Sequence, residues 1–233
     1  MPISGRPLLE YWLSTLYQMG ITDVLVNTHH HRRRVEEFLD RTRFRGWVQE
    51  AYEPKLLGTA GTLTTNLNKF QGKTVMLIHA DNWCQCDFSA FIDFHCASKP
   101  SHAVITMMTF RCDKPEECGI VQLDDQGVVT AFHEKIQNPP GKLANGAVYL
   151  LEPKLLTWLK KYPDSTNFST DILPRLLGYI ATWENREIHR DIGTIGSLQK
   201  AQSDKIPVIC WQEKDQWQHE FEKTSIFQEL SEV

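Results

Sequence analysis

Two aspartates lie where strands and helices commonly position ligand-binding side chains. Asp81 follows the apolar run at residues 74–80, and Asp191 begins the segment Asp191-Ile192-Gly193-Thr194 ahead of a predicted helix. Ligands of open α/β sheets bind at the carboxyl ends of the strands. Carboxylates are usual protein ligands of Mg²⁺ beside phosphate groups, and two bind the ion better than one. The pair therefore predicts a Mg²⁺ site, although each aspartate could instead cap the helix or turn that follows it.

A loop of small residues, Leu57-Gly58-Thr59-Ala60-Gly61, opens another predicted helix. Small residues let backbone groups approach a ligand closely, and the free amides at a helix start can bind its polar atoms, such as the edge of a base. An ordinary tight turn would use the same residues. The loop is thus a candidate binding loop with a purely structural alternative.

Polar residues at two later strand ends are further candidates. Lys135, in the pair Glu134-Lys135, could bind a phosphate group as a point charge, or the pair could be an ordinary solvated surface feature. Asn145-Gly146 could belong to a binding site or form a hairpin turn.

The first half of the chain must position these side chains, and it alternates between strand and helix patterns. Strands are predicted at residues 21–28, 47–52, 74–80 and 103–110, and helices at 8–16, 33–41, 59–67 and 88–97. This alternation predicts an α/β fold with a doubly wound, mostly parallel, Rossmann-like sheet and helices on both faces. The almost continuous apolar run at 74–80 predicts a strand that is buried on both faces.

The pattern changes after about residue 110. Strands at residues 119–123, 128–132 and 147–151, joined by turns such as 124–127, predict a small antiparallel insertion or sheet edge. Helices are expected at 153–161, 171–178 and 195–203. We expect one domain over residues 1–204 and a C-terminal tail over 205–233.

Composition narrows the possible functions and locations. A net charge of -4 argues against broad nucleic-acid binding, and no apolar run has the length of a membrane span. The N-terminus lacks the pattern of a signal peptide, and the six cysteines are irregularly spaced, so we expect reduced thiols and a cytoplasmic location.

Three adjacent histidines, His29 to His31, cannot all face one ion. Cys84-Gln85-Cys86 is only half of a zinc site.

Eight short segments, in order, resemble the sugar-1-phosphate nucleotidyltransferase family over about residues 2–203. The segments are Pro7-Leu8-Leu9-Glu10, Glu53 with the small-residue loop, Ala80-Asp81-Asn82, Cys118-Gly119-Ile120-Val121, Phe132-His133-Glu134-Lys135, Ala144-Asn145-Gly146-Ala147-Val148-Tyr149, Thr170-Asp171-Ile172-Leu173-Pro174 and Asp191-Ile192-Gly193-Thr194. The form of the loop, preceded by Glu53, looks more like mannose-type or heptose-type guanylyltransferases than thymidylyltransferases, while uridylyl transfer stays an alternative.

The resemblance implies a role for each segment. Glu53 and the loop would contact the base and ribose. Asp81 and Asp191 would hold Mg²⁺ and, with Lys135, serve catalysis. The sugar 1-phosphate pocket would be lined by Gly119, Glu134, Lys135, Asn145 and Asp171, with Lys135 near the phosphate.

The implied reaction is one in-line displacement, in which a sugar 1-phosphate attacks the α-phosphorus of a nucleoside triphosphate, preferably GTP, and pyrophosphate leaves. The product, a nucleotide sugar, would serve polysaccharide biosynthesis. The partners would be these two substrates and, in a homo-oligomer, identical subunits, with no nucleic acid or membrane.

The chain departs from the family pattern at its start. The family's first strand, which is central in the sheet, and its glycine-rich triphosphate loop would precede Met1. Three explanations are expected. The chain is truncated, or it is a degenerate homologue that binds nucleotide or sugar phosphate as a regulatory subunit, or residues 206–211 replace the missing strand. Pro207 disfavours the third explanation. A metal-dependent glycosyltransferase is disfavoured, because Asp81-Asn82-Trp83 lacks the second carboxylate of an Asp-x-Asp site.

Overall fold

A computed structural model describes residues 1–231, apart from the side chains of Ile226, Leu230 and Ser231. The chain forms two compact units. Unit 1 contains Met1–Leu56, Ala80–Gln85 and the chain from Arg190 onward, and unit 2 contains Leu57–His79 and Cys86–His189. In the described part of the chain, no helix is both long enough and apolar enough to cross a membrane.

Strands and helices alternate through much of the chain. The strands are β1 (Pro2–Ile3), β2 (Arg6–Pro7), β3 (Val24–Thr28), β4 (Val48–Tyr52), β5 (Val75–Ile78), β6 (Asn82–Cys84), β7 (Ile105–Arg111), β8 (Gly119–Leu123), β9 (Val129–Glu134), β10 (Leu143–Leu151), β11 (Ile180–Glu184) and β12 (His189–Asp191). The helices are α1 (Leu8–Gln18), α2 (Arg32–Leu39), α3 (Gly58–Thr65), α4 (Phe88–Asp93), α5 (Pro153–Leu159), α6 (Ile195–Ser203), α7 (Gln216–Phe221) and α8 (Ser225–Ser231).

Unit 2 is built on a mixed sheet with the strand order β11-β7-β10-β8-β9, and β5 also pairs with β10. Strands β7 and β11 are parallel, whereas β10 is antiparallel to β5, β7 and β8. The α/β class is therefore as expected. More of the strand pairs are antiparallel than the alternation of strand and helix patterns in the sequence predicted. The long apolar strand β10 lies between its neighbours, and Val148 to Leu151 are all buried.

The Asn145-Gly146 pair lies inside β10, so the hairpin-turn interpretation is wrong. The register between β10 and β7 shifts between Asn145 and Tyr149. Ala147 has a φ of 51°, in the left-handed region that non-glycine residues rarely adopt. The strand therefore continues through a bulge, where a turn would have ended it.

Two other sequence expectations for unit 2 need correction. In β5, Val75 is buried but the next three residues are only half-buried, because among the described strands β5 pairs with β10 alone. The helix expected at 171–178 is instead a π-helical turn, Phe168–Ile172, followed by a 3₁₀ turn, Leu173–Leu176. Pro174 supplies no N–H to a regular helix, which explains the change.

Unit 1 has a core of aromatic side chains. Strands β3 and β4 pair in parallel from Val24–Val48 to Thr28–Tyr52. Leu13, Phe38, Phe44 and Trp47 are buried in the core, where Trp211 and Trp217 of the C-terminal segment pack against them. Residues 206–210 run beside α1: the backbone N–H of Cys210 bonds to Ser14 Oγ at 2.8 Å. They form no strand.

A buried ionic network joins the same C-terminal segment to α1. The Glu10 carboxylate is fully buried and accepts hydrogen bonds from Arg41 at 2.9 Å, Arg43 at 2.9 Å and Arg6 at 3.1 Å. Arg41 also donates to Asp215 at 2.7 Å. Each buried charge thus has an opposite partner, as burial of ions requires.

Candidate functional site

The two candidate metal ligands lie together in unit 1. Strands β6 and β12 are hydrogen-bonded neighbours, and the N–H of Ile192 donates to the carbonyl oxygen of Asp81 at 3.2 Å. Both Asp81 and Asp191 are exposed. The helix-capping interpretation is wrong for both, since Asp87 caps α4 and Thr194 caps α6. The carboxylates are therefore available to a ligand.

A carboxylate clamp holds the residues next to these two aspartates. Asp204, which follows α6, accepts a bond from Trp83 Nε1 at 3.0 Å. It also accepts two bonds from the Arg190 guanidinium, at 2.8 and 2.9 Å. Trp83 lies in β6 and Arg190 in β12, so one side chain fixes both strands. Sequence analysis missed this clamp.

Asp81 and Asp191 carry the kind of ligand that a hydrated Mg²⁺ ion prefers. Mg²⁺ prefers oxygen ligands, keeps several waters, and commonly binds one or two carboxylates together with substrate phosphates. Among the residues that the structure describes, no group of three or more His, Cys, Asp or Glu side chains could hold a metal ion. A two-carboxylate site completed by a phosphate ligand is consistent with that arrangement.

The small-residue loop, Leu57 to Gly61, packs closely against a neighbouring segment of unit 2. A Cβ on Gly58 would collide with the carbonyl oxygen of Thr166, and Gly58 has a φ of 76°. The N–H of Ala60 donates to Thr166 O at 2.9 Å, and Thr59 Oγ1 accepts from the N–H of Phe168 at 2.8 Å. Packing within the protein is thus enough to require glycine at 58, and α3 begins without a side-chain cap.

Glu53 belongs to unit 1, at the carboxyl ends of β3 and β4. Its N–H donates to Thr28 O at 2.8 Å, and its carbonyl oxygen is 2.7 Å from His29 Nδ1. The side chain of Glu53 is buried. Of the three adjacent histidines, His29 therefore contacts the backbone of Glu53 at this strand end.

Gly119, Glu134 and Lys135 meet where β8 and β9 pair. Gly119 lies opposite Glu134 in the register. A Cβ at Gly119 would lie 2.7 Å from the Phe132 ring and 2.8 Å from Glu134 Oε2, so only glycine fits. Lys135 has a φ of 48°, and its N–H donates to Cys118 O at 3.2 Å. Such strained conformations of non-glycine residues are common at ligand sites.

Tyr149 connects Asn145 to the segment that contains Asp171. Its hydroxyl accepts a bond from Asn145 Nδ2 at 2.7 Å, and the centre of its ring lies 5.1 Å from that of Phe168. Burial raises the pKa of Tyr149 to about 12, so the hydroxyl stays protonated at neutral pH. Tyr149 belongs to one of the family segments, but its place in an apolar strand did not predict that its hydroxyl would bind a polar side chain.

The Asp171 carboxylate is engaged by its own loop. It accepts bonds from the N–H groups of Asn167 and Thr166, both at 2.9 Å, and these bonds lower its pKa. Asp171 also lines an open cavity of about 550 Å³, together with Lys161, Tyr162 and Arg175. Its role at a sugar site stays a prediction, because the structure gives the carboxylate a loop-stabilising role.

Comparison with known proteins identifies the fold and the family of the chain. Among solved structures, HddC from Yersinia pseudotuberculosis is similar with a TM-score of 0.73 and 21% identity over 87% of each chain. A putative glucose-1-phosphate thymidylyltransferase from Bacillus anthracis is similar with a TM-score of 0.76 and 21% identity, over 87% of this chain and 84% of that one. These similarities define a Rossmann-like α/β fold with a mixed sheet and helices on both sides.

The family model described as nucleotidyl transferase matches residues 1–206. The chain belongs to this family, in its sugar-1-phosphate nucleotidyltransferase branch.

Two curated relatives have longer chains. Mannose-1-phosphate guanylyltransferase of Mycobacterium tuberculosis is 26% identical over 217 residues, covering 90% of this chain and 59% of the relative. Glucose-1-phosphate adenylyltransferase of Bacillus subtilis is 24% identical over 223 residues, covering 85% and 58%. The chain thus spans about three fifths of their length.

Proposed function

We propose that this protein transfers a nucleoside monophosphate from a nucleoside triphosphate, with GTP favoured, to a sugar 1-phosphate. The products are a nucleotide sugar and pyrophosphate. The observation that carries the proposal is the pairing of β6 with β12, which sets Asp81 and Asp191 side by side in a chain of this family. The guanylyltransferase name of one relative supports GTP, and the adenylyltransferase name of another supports a different base.

Each candidate residue has a stated part in the proposal. Asp81 and Asp191 hold Mg²⁺, which when bound supplies positive charge beside the phosphate groups. Glu53 and the small-residue loop, Leu57 to Gly61, bind the nucleoside. The exposed Lys135 side chain neutralises the sugar phosphate, while Gly119, Glu134, Asn145 and Asp171 orient the sugar. Catalysis then comes from positioning and charge neutralisation, without a covalent intermediate.

The proposal also keeps the expected setting: a cytoplasmic homo-oligomer that supplies polysaccharide biosynthesis. A second candidate function is a catalytically impaired binder of nucleotide or sugar phosphate. It is favoured by the strand-end geometry of Lys135 and Gly119, which would bind a sugar phosphate whether or not turnover follows.

Pyrophosphate release separates the two candidates. Purified protein is given Mg²⁺, mannose 1-phosphate and each nucleoside triphosphate in turn, and the assay is repeated with other sugar 1-phosphates. We expect release that is fastest with GTP, together with formation of the nucleotide sugar. No release with any pair would contradict the transferase proposal. An increased melting temperature with one ligand, without turnover, would support the binder.

A further inference from the structure

Two cysteines flank the connection between β7 and β8. Cys112 follows β7 directly, and Cys118 immediately precedes β8. Both belong to one small apolar cluster with Ile120 and Ala144. The Cys112 thiol donates to the carbonyl oxygen of Lys142 at 3.5 Å, and Cys118 packs against the cluster that contains Cys112. The chain therefore brings two cysteines to one small apolar cluster, and neither is part of a disulfide.

The segment between the two cysteines can adjust to a covalent link. Residues 113–117 hold a single 3₁₀ turn, Pro115–Glu117, and the Lys114–Glu117 ion pair, 2.8 Å long, is on the surface. A disulfide needs its sulfur atoms about 2.05 Å apart, with Cα atoms roughly 4.4–6.8 Å apart. The two cysteines pack at the same apolar cluster, and the irregular segment between them can absorb the movement that a disulfide needs.

We propose that Cys112 and Cys118 form a reversible disulfide, so that this strand connection is a thiol oxidation site. Low-molecular-weight disulfides such as oxidised glutathione are the oxidant. None of the other cysteines shares this apolar cluster in the described part of the chain.

The chemistry is two successive thiol–disulfide exchanges. The partly exposed Cys118 attacks first as a thiolate, forms a mixed disulfide with one glutathione and releases the other as a thiolate. Cys112 then loses its proton and attacks Cys118 Sγ, which releases the second glutathione. Two protein thiols are oxidised and one oxidised glutathione is reduced to two thiols. Burial raises the pKa of Cys112, so the less buried Cys118 is the thiol that attacks first.

The disulfide would act on the neighbouring site. Cys118 O accepts the N–H of Lys135, and Gly119 is the next residue along the chain. A shift of Cys118 toward Cys112 therefore moves the carbonyl that holds Lys135 in its left-handed conformation. This consequence rests on the proposed function, and it predicts a higher KM for sugar 1-phosphate in the oxidised protein.

The cleavage pattern allows a direct test, independent of activity. A protease that cuts after glutamate cleaves at Glu116 and Glu117, which puts Cys112 and Cys118 on different peptides. The full chain is equilibrated with oxidised glutathione, alkylated, digested without reductant and analysed by mass spectrometry. We expect one cross-linked peptide pair that separates on reduction.

Variants make the result specific. Cys112→Ser should retain glutathione on Cys118, whereas Cys118→Ser should leave the buried Cys112 unmodified. Cys96→Ser, at an exposed cysteine of the same unit, should keep the cross-link. Glutathione retained on Cys118 of the wild-type chain, or no reaction of either cysteine, would overturn the proposal. A cross-link without any transferase activity would instead support the disulfide and count against the proposed function.

Discussion

The N–H of Ile192 donates a hydrogen bond to the carbonyl oxygen of Asp81, at 3.2 Å. Asp191 is the residue before Ile192, so this one bond brings two carboxylates from distant parts of the sequence to neighbouring backbone positions. Neither aspartate caps a helix. This backbone proximity is the basis of the following prediction about metal dependence.

Replacing either aspartate should abolish most Mg²⁺-dependent turnover. We expect Asp81→Asn and Asp191→Asn each to lower pyrophosphate release by about 10²-fold or more, because each removes a charge that would hold the cation against the phosphates. The double variant should be little worse than either single one, since both act through the same ion. Titration of Mg²⁺ in the activity assay measures the effect.

Asp125→Asn is the matched control for that experiment, because Asp125 is an exposed aspartate in the turn before β9. It should leave both turnover and the Mg²⁺ titration unchanged. If Asp191→Asn behaves like this control, Asp191 is not a ligand of the ion.

Removing the charge of Asp204 should destabilise unit 1 and weaken metal binding. Asp204→Asn loses the paired Arg190 bonds and weakens the Trp83 bond, so we expect a loss of about 1–3 kcal/mol in the free energy of unfolding. It should also raise the Mg²⁺ concentration for half-maximal activity, since β6 and β12 lose their common anchor. Urea unfolding and Mg²⁺ titration measure the two effects. Ser203→Ala, next to the clamp and exposed, should change neither.

The bulge in β10 predicts opposite effects at two adjacent positions. Ala147→Gly should stabilise the protein by about 0.5–1 kcal/mol, because relief of the left-handed strain exceeds the entropy gained by the unfolded chain. Gly146→Ala should cost about 1–3 kcal/mol, since its Cβ would lie 3.0 Å from Met108 O and 3.2 Å from the His189 ring. Chemical denaturation measures both. A destabilised Ala147→Gly variant would contradict the strain argument.

At low pH, the Asp215 carboxylate should lose its contribution to the free energy of unfolding. Burial opposes its ionisation, but hydrogen bonds from Arg41 and Gln218 outweigh burial and lower its pKa. A carboxyl with a lowered pKa in the folded state stabilises the protein above its unfolded pKa, and this stabilisation is lost as pH falls through the folded value. We expect Asp215→Asn to cost about 1 kcal/mol between pH 5 and 7.

Below about pH 4 the difference between wild type and Asp215→Asn should begin to shrink, because the unfolded chain then takes up a proton at Asp215, and it should vanish as pH falls through the lowered pKa of the folded carboxyl. Thermal unfolding across this range measures it. A difference that stays constant down to pH 2 would show that the ionised carboxylate is not what stabilises the tail.

Local signals in the sequence were enough for several elements. The helix expected at residues 195–203 is α6, with Thr194 at its cap, and the strand expected at 119–123 is β8. These elements could be predicted because their boundaries depend on capping residues, glycines and hydrophobic periodicity within a few residues of the chain. Family motifs likewise identified Gly119, Glu134, Lys135 and Asn145, and the structure brings them to the neighbouring ends of β8, β9 and β10.

Features set by distant residues could not be predicted in this way. The bulge at Asn145 depends on how β10 pairs with strands on both of its edges, so the Asn-Gly pair alone suggested a turn. The Asp204 clamp joins residues that are far apart in sequence, and no spacing rule connects them. The aromatic contacts of Trp211 and Trp217 could not be predicted either, because they join residues far apart in sequence. The C-terminal segment also has weak hydrophobic periodicity.

The packing of Trp211, Trp217 and Asp215 against α1 and α2 has a consequence for synthesis on the ribosome. Unit 2 is nearly continuous in sequence, whereas the core of unit 1 needs side chains from both ends of the chain. Unit 2 can therefore fold while translation continues, as domains commonly do. The core around Leu13 and Phe38 cannot form until Trp211 and Trp217 have been synthesised, so Glu10 and its arginines stay uncovered until then.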